Sequence, residues 1–189
     1  MSGTAVGVVP TEGRGSLPFL LYGGESLLAL ASWALTEAEV QLLDHNAAWT
    51  QVQAHEAALV IHDPLCPATP VPYLRSLVRR AGTDPAVLVG VRPVTDTVRC
   101  VADGALAETV DRRELVSVAS PVVLPAAVVA ELPDWPDLTD PAALVERLAE
   151  RFAVVLVDAP PLARRLADDT DLALLEALAG PPRPSPLSR

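Results

Sequence analysis

The stretch "AALVIH", Ala57–His62, is a short apolar run that is followed at once by Asp63. Continuous apolar runs of this length are typical of strands whose two faces are both covered. Three further runs have the same character: Ala5–Val9, Ala86–Val91 and Ala153–Val157. Together they predict a sheet that is buried between two layers of helices.

Segments with helical spacing lie between and after these strands. Val71–Gly82 ends in basic residues and a glycine, as helix C-termini often do. Thr139–Phe152 begins with capping residues followed by Pro141, and Glu25–Ala38 and Thr170–Gly180 also fit a helix. The alternation predicts an α/β fold: one doubly wound, mostly parallel, Rossmann-like domain over residues 1–180. The Pro-rich residues 181–189 are expected to be disordered.

One segment, residues 95–112, breaks this alternation. Asp103-Gly104 is a strong hairpin signal because both residues favour the backbone of a tight turn, and strand-like residues flank it. The segment therefore predicts a protruding β-hairpin arm. Since an isolated two-stranded hairpin is marginal in water, the arm is expected to pack on a partner. An alternative is that it folds back on its own domain.

Composition excludes several classes of partner. The 189-residue chain has a net charge of −10, and all 14 of its basic residues are arginines. An acidic surface of this kind argues against nucleic acid and against anionic membranes as partners. Cys66 and Cys100 match no metal spacing and fit reduced thiols, and no signal peptide or spanning segment is evident. A cytoplasmic protein is expected.

Four motifs occur along the chain in this order: "VIHDPLCP", "RPVTDTVRCVADGALAETVDRRELVSVASP", "TDPAALVE" and "DLALLEAL". Together they resemble the methylerythritol-phosphate cytidylyltransferases of non-mevalonate isoprenoid synthesis, from about residue 57 to residue 180. That family joins CTP to methylerythritol phosphate and releases pyrophosphate. The resemblance implies a nucleotidyltransferase fold in which the hairpin arm embraces a second subunit, giving a homodimer.

On the metal side, the resemblance implies that Asp63 binds Mg²⁺, if the chain is active, because it matches the aspartate of the family's HDAARP motif. A carboxylate suits that hard cation. The alternative is an aspartate that only caps a turn at the end of a strand. The arginine of the same motif is missing, and Cys66 stands in its place.

On the substrate side, the resemblance implies a phosphate site made by Arg112, Thr139 and Arg165. Arg112 matches the arginine of the family's TVDR motif, and a guanidinium suits a phosphate. The alternatives are a surface arginine for Arg112, a helix N-cap for Thr139 and a solvated loop for Arg165. The ligand implied is a small sugar or polyol phosphate.

The nucleotide side matches the family less well. Pro10, Gly13 and Gly15 match the family's phosphate loop, in which glycines let backbone N–H groups approach a phosphate. However, Leu17 and Phe19 fall where the family has an arginine and a lysine. Glu12 lies inside the loop, and Arg14 is the single Lys or Arg in residues 1–55, against five acids. Weak or absent cytidylyl transfer is therefore expected.

Two functions of different classes follow. The first is a diverged cytidylyltransferase. The second is a non-catalytic relative that acts as a dimerising binding or assembly protein, with a small-metabolite binder as a weaker third reading. Transfer of a nucleotidyl group depends mainly on positioning and on positive charge, so the loss of two cations weighs against the first.

Overall fold

The computed structural model describes residues 5–44, 46–94, 98–102, 105–111 and 115–179. Within them, six α-helices are formed: α1 (Leu27–Glu37), α2 (Trp49–Ala54), α3 (Val71–Ala81), α4 (Ala126–Glu131), α5 (Pro141–Ala149) and α6 (Asp169–Ala179). The β-strands of the same part of the chain are β1 (Val6–Val8), β2 (Leu21–Tyr22), β3 (Glu25–Ser26), β4 (Gln41–Leu42), β5 (Leu59–Ile61), β6 (Val87–Pro93), β7 (Val98–Ala102), β8 (Ala105–Val110), β9 (Val116–Leu124) and β10 (Val154–Asp158).

The central sheet has six strands in the order β10-β6-β9-β5-β1-β4. β1 pairs in parallel with β4 and β5, and β10 pairs in parallel with β6. β9 runs antiparallel to both of its neighbours, β5 and β6. The predicted mostly parallel α/β sheet is confirmed, and the four predicted apolar runs form β1, β5, β6 and β10.

Helices cover both faces of the sheet. Successive residues of a strand point to opposite sides, so each strand contributes to two hydrophobic cores. Leu59 and Ile61 of β5 face a core that α2, α4 and α5 complete with residues such as Val52 and Leu144. Val60 faces a second core, to which α1 and α3 contribute Leu35, Leu74 and Leu77. A third cluster, at the carboxyl edge of the sheet, joins Leu65 to Leu27 of α1 and Leu175 of α6.

The four predicted helices are confirmed with small shifts of their ends. Ser26 caps α1 by accepting a hydrogen bond from the N–H of Ala29, at 3.1 Å. Asp140 caps α5 by accepting from Ala142 and Ala143. Among the described helices, none is long and apolar enough to cross a membrane.

β7 and β8 pair antiparallel with each other as a separate two-stranded sheet, so the predicted hairpin is confirmed in its strands. Its turn, Asp103-Gly104, lies outside the described residues, as do Arg112 and the tail at 181–189.

Strand β9 was not predicted, because Pro121 interrupts its apolar run. The structure accommodates Pro121 at an irregularity: the pairing of β6 with β9 shifts register between Val89 and Val91. Proline is tolerated at such bulges since no ladder hydrogen bond is required of it. Gly90 lies at this point, and a Cβ built on it would be 2.9 Å from the carbonyl oxygen of Ser120.

Replacing Gly90 by alanine is therefore expected to destabilise the fold. The new methyl would press on the Ser120 backbone and on the Tyr73 hydroxyl, which is 3.0 Å away. We expect a loss of about 1–3 kcal/mol, the usual cost of overpacking, measured by urea unfolding. Gly82→Ala is the control because its Cβ meets one carbonyl oxygen at 3.3 Å. Equal midpoints for the two variants would contradict this account of the bulge.

A second prediction concerns alkaline pH. Burial, together with the negative charge of Asp158, raises the pKa of Tyr73 to about 12. The native state thus keeps a proton that the unfolded chain loses near pH 10, so stability should fall as pH rises from about 10 to about 12. Phenolate absorbance at 295 nm should appear later in the native protein than in urea. Replacing Tyr73 by phenylalanine should reduce the late component, of which Tyr22 then supplies the rest because burial also raises its pKa. Identical titrations of the unchanged protein with and without urea would refute the shift.

Candidate active site

The site lies at the carboxyl edge of the sheet, where β1 and β5 end side by side. These two strands are parallel, and Val8 is paired with Ile61. The loop after β1 and residues His62 and Asp63 after β5 therefore emerge at the same edge. This edge is where open α/β sheets usually bind ligands.

Arg14 occupies the centre of this edge and points into the protein. Its side chain is 1% exposed. Its Nε donates to Oδ1 of Asp63 at 2.9 Å, and Nη2 donates to Oδ2 at 3.4 Å. Its Nη1 donates to the carbonyl oxygens of Glu12, at 2.6 Å, and Leu138, at 3.0 Å. The guanidinium thus makes four hydrogen bonds to three separate segments of the chain.

A second arginine, Arg165, also contacts Asp63. Its Nε donates to Oδ2 of Asp63 at 2.9 Å, and its side chain is 31% exposed. The backbone supports this approach, because the N–H of Leu166 donates to the carbonyl oxygen of Leu65 at 2.7 Å. Two arginines from distant parts of the sequence therefore share one carboxylate.

These contacts determine the charge of Asp63. Burial alone would raise the pKa of this carboxyl, but the hydrogen bond and charge of Arg14 and the charge of Arg165 outweigh it and lower the pKa. Asp63 is therefore ionised, and the cluster of Arg14, Asp63 and Arg165 carries a net charge of +1. We call this cluster the Asp63 triad.

The neighbouring histidine is neutral. Burial lowers the pKa of His62 to about 4, although the charge of Asp63 acts in the opposite direction. Its Nδ1 is hydrogen-bonded to the hydroxyl of Ser120, which also accepts from the backbone N–H of Asp63 at 2.9 Å. His62 is fully buried, so its contribution is to hold the end of β5 against β9.

The predicted phosphate loop packs against the segment that precedes α5. Gly13 has a positive φ of 73°, and a Cβ built on it would be 2.5 Å from the carbonyl oxygen of Thr139. Gly13 thus has a packing role, since a side chain would collide with Thr139. Gly15, with φ of 56°, has open space where its Cβ would be. Pro10 is buried just after β1.

Thr139 is exposed beside this loop. Asp140, and not Thr139, caps α5, so the alternative helix-capping role of Thr139 is wrong. The Thr139 hydroxyl is instead hydrogen-bonded to Oδ1 of Asp137 at 2.6 Å. The hydroxyl is the donor in this bond, so its oxygen is free to accept, and its single O–H can donate to a ligand only after it leaves Asp137.

The residues around Asp63 do not fit the Mg²⁺ site that the resemblance implies. Mg²⁺ requires several oxygen ligands in near-octahedral geometry, and it keeps those ligands close. Here both oxygens of Asp63 accept from guanidinium groups, whose positive charges also repel a divalent cation. No group of three His, Cys, Asp or Glu side chains suited to a metal occurs in the described part of the chain.

The structure thus brings together most of the predicted site. The loop with Pro10 and Gly13 meets Asp63, Thr139 and Arg165 at one edge, whereas Arg112 lies outside the described residues. Sequence reasoning missed the role of Arg14. The available signal was its position: it is the sole Lys or Arg among residues 1–55, and it stands between the two loop glycines.

Comparison with known proteins identifies the family of this chain. A sequence model of the family "2-C-methyl-D-erythritol 4-phosphate cytidylyltransferase" matches residues 44–180. The chain belongs to this family. A family member from Corynebacterium diphtheriae is 29% identical over 173 residues, which cover 82% of this chain and 70% of that protein. One from Bacillus licheniformis is 30% identical over 129 residues, 65% of this chain and 54% of its own length.

Solved structures of cytidylyltransferases share the fold. The enzyme from Thermus thermophilus superposes with a TM-score of 0.63 at 23% identity, over 93% of this chain and 98% of that one. A 4-diphosphocytidyl-2C-methyl-D-erythritol synthase superposes with a TM-score of 0.66 at 16% identity, over 95% and 100%. The nucleotidyltransferase fold inferred from the ordered motifs is thereby confirmed.

Removing the charge of Asp63 should destabilise the protein strongly. In Asp63→Asn, two guanidinium groups lose their counter-charge while Arg14 stays buried. Breaking one side of a buried pair costs about 3–5 kcal/mol, and urea unfolding at neutral pH would measure it. Asp84→Asn is the matched control, because Asp84 pairs with the partly exposed Arg80 near the surface, and it should unfold almost like the unchanged protein. A similar small effect for both would show that the triad does not stabilise the fold.

Proposed function

We propose that this chain is a cytidylyltransferase-family protein that binds methylerythritol phosphate, or a polyol phosphate much like it, and transfers the cytidylyl group slowly. The observation that supports this most is the convergence of the loop after β1, Asp63, Thr139 and Arg165 at one edge of the sheet. The proposed reaction follows from family membership. The charges at this edge determine how well the sugar phosphate and the nucleotide would each be bound.

The part of the site proposed to bind the sugar phosphate has a suitable cation, Arg165. Only Nε of Arg165 is used by Asp63, and within the described residues the two Nη nitrogens have no hydrogen-bond partner. The Asp63 triad carries a net positive charge, which suits a phosphate, and Thr139 offers a hydroxyl nearby on the exposed loop. A guanidinium fork and a hydroxyl are common partners of a phosphate monoester.

The part of the site that would bind the nucleotide, the loop after β1, lacks outward-facing cations. Leu17 and Phe19, at the positions of two family cations, form a short 3-10 helix, and the Phe19 side chain is largely exposed. Arg14 points inward, and Glu12 adds a negative charge to the loop. Since removing one aimed donor costs about 10²–10³ in rate, the absence of two cations supports slow transfer.

A second candidate is a non-catalytic family member that binds the sugar phosphate or assembles with a partner. It is favoured by the inward position of Arg14, which leaves the loop without an outward cation. If the second candidate binds the sugar phosphate, it shares the substrate-phosphate site with the first and differs from it in turnover.

The first experiment separates binding from turnover. Calorimetry with methylerythritol phosphate tests the site, and pyrophosphate release with CTP and Mg²⁺ tests the reaction. We expect binding and little release. Arg165→Gln should weaken substrate binding by roughly tenfold or more, because a charge-assisted hydrogen bond to the phosphate is lost.

Arg164→Gln is the matched control, because Arg164 pairs with Asp171 and not with Asp63. Its substrate affinity should stay unchanged. Absence of substrate binding by the unchanged protein would refute the substrate site, whereas binding without any pyrophosphate release would favour the non-catalytic candidate.

We also propose that the hairpin arm makes the protein a homodimer. Its strands β7 and β8 pair with each other and belong to no larger sheet in the described structure. An arm of this kind gains stability by packing reciprocally on an identical chain, which gives a closed two-fold dimer. Light scattering should report twice the chain mass at micromolar concentration, and deletion of residues 97–109 should give a monomer. A full-length monomer under those conditions would contradict the proposal.

A further inference from the structure

We propose that the guanidinium of Arg14 is a built-in cation that occupies the place beside Asp63 that a divalent metal ion would take. The protein would accordingly bind no metal ion through Asp63. This arrangement belongs to the folded chain before any substrate binds, so it holds whether or not cytidylyl transfer occurs.

The first support is the completeness of the contacts. Arg14 makes two hydrogen bonds to the two oxygens of Asp63 and two more to the carbonyl oxygens of Glu12 and Leu138. A carboxylate and two carbonyl oxygens are the kind of ligands that a hard cation prefers. The guanidinium therefore uses the same oxygen atoms with which this edge of the sheet could hold a metal.

The second support is the local backbone. Glycines flank Arg14 on both sides, and both have positive φ, 73° for Gly13 and 56° for Gly15. The N–H of Arg14 donates to the carbonyl oxygen of Thr11 at 3.3 Å, which closes a tight turn. L-residues other than glycine rarely adopt such φ values, so this loop is shaped to direct the Arg14 side chain inward.

The third support is the balance of charge. Arg14 and Arg165 already place two positive charges on one carboxylate, and Asp63 is 4% exposed. The nearby Cys66 adds no negative charge, because burial raises the pKa of its thiol well above the ordinary value. A divalent ion would bring two further positive charges to a cluster that is already net positive.

Electron paramagnetic resonance of Mn²⁺ tests this proposal without any substrate. The unchanged protein and Asp63→Asn should leave equal amounts of free Mn²⁺. Arg14→Ala should bind Mn²⁺ more tightly than the double variant Arg14→Ala/Asp63→Asn by about tenfold or more, because both lack the Arg14 guanidinium and only the single variant keeps a negative carboxylate at contact distance from the ion. Circular dichroism would first establish that each variant is folded.

Two outcomes would overturn the proposal. One is Mn²⁺ binding by the unchanged protein that Asp63→Asn abolishes. The other is a folded Arg14→Ala variant that binds Mn²⁺ no better than the double variant. Should Arg14→Ala not fold, the unchanged protein and a folded Asp63→Asn variant decide: equal Mn²⁺ binding supports the proposal, and binding that Asp63→Asn abolishes refutes it.

Discussion

The buried ion pair between Arg14 and Asp63 is the contact on which the rest of the site depends. It joins the loop after β1 to the end of β5, and through the carbonyl oxygen of Leu138 it also holds the segment before α5. Removing two charges from water is costly, and a buried pair repays that cost only with good geometry and further hydrogen bonds. Arg14 meets both conditions, so the pair specifies one position for the loop.

That position has consequences for chemistry. Transfer of a nucleotidyl group requires positive charge aimed at the phosphates as negative charge moves between oxygens. In this chain the single loop cation is directed inward, where it neutralises a carboxylate, and Glu12 is the charged residue left on the exposed loop. Arg165, in contrast, keeps part of its guanidinium accessible. The loop after β1 therefore presents no cation outward, whereas the Arg165 side chain remains partly accessible.

The sheet shows how such a site is held in place. β9 lies between β5 and β6 and is antiparallel to both, and its Ser120 hydroxyl contacts His62 as well as the N–H of Asp63. The Ser120 carbonyl approaches β6 so closely at Gly90 that this one position cannot carry a side chain. The position of Asp63 is thus fixed by the neighbouring strand β9. The sequence of β9 is interrupted by Pro121 and does not resemble that of a central strand.

The sequence by itself determined the α/β class, the four main strands, the four long helices and the family, because apolar periodicity and capping residues are local signals and because ordered motifs survive divergence. It also pointed to Asp63, Thr139 and Arg165 as members of one site. Only the tertiary structure decided what surrounds Asp63. Arg14 lies 49 residues from Asp63 along the chain, and Arg165 lies 102 residues away on the other side. No local pattern encodes which buried carboxylate a distant arginine will neutralise, since that choice follows from strand order, from loop backbone shape and from the need to pair every buried charge.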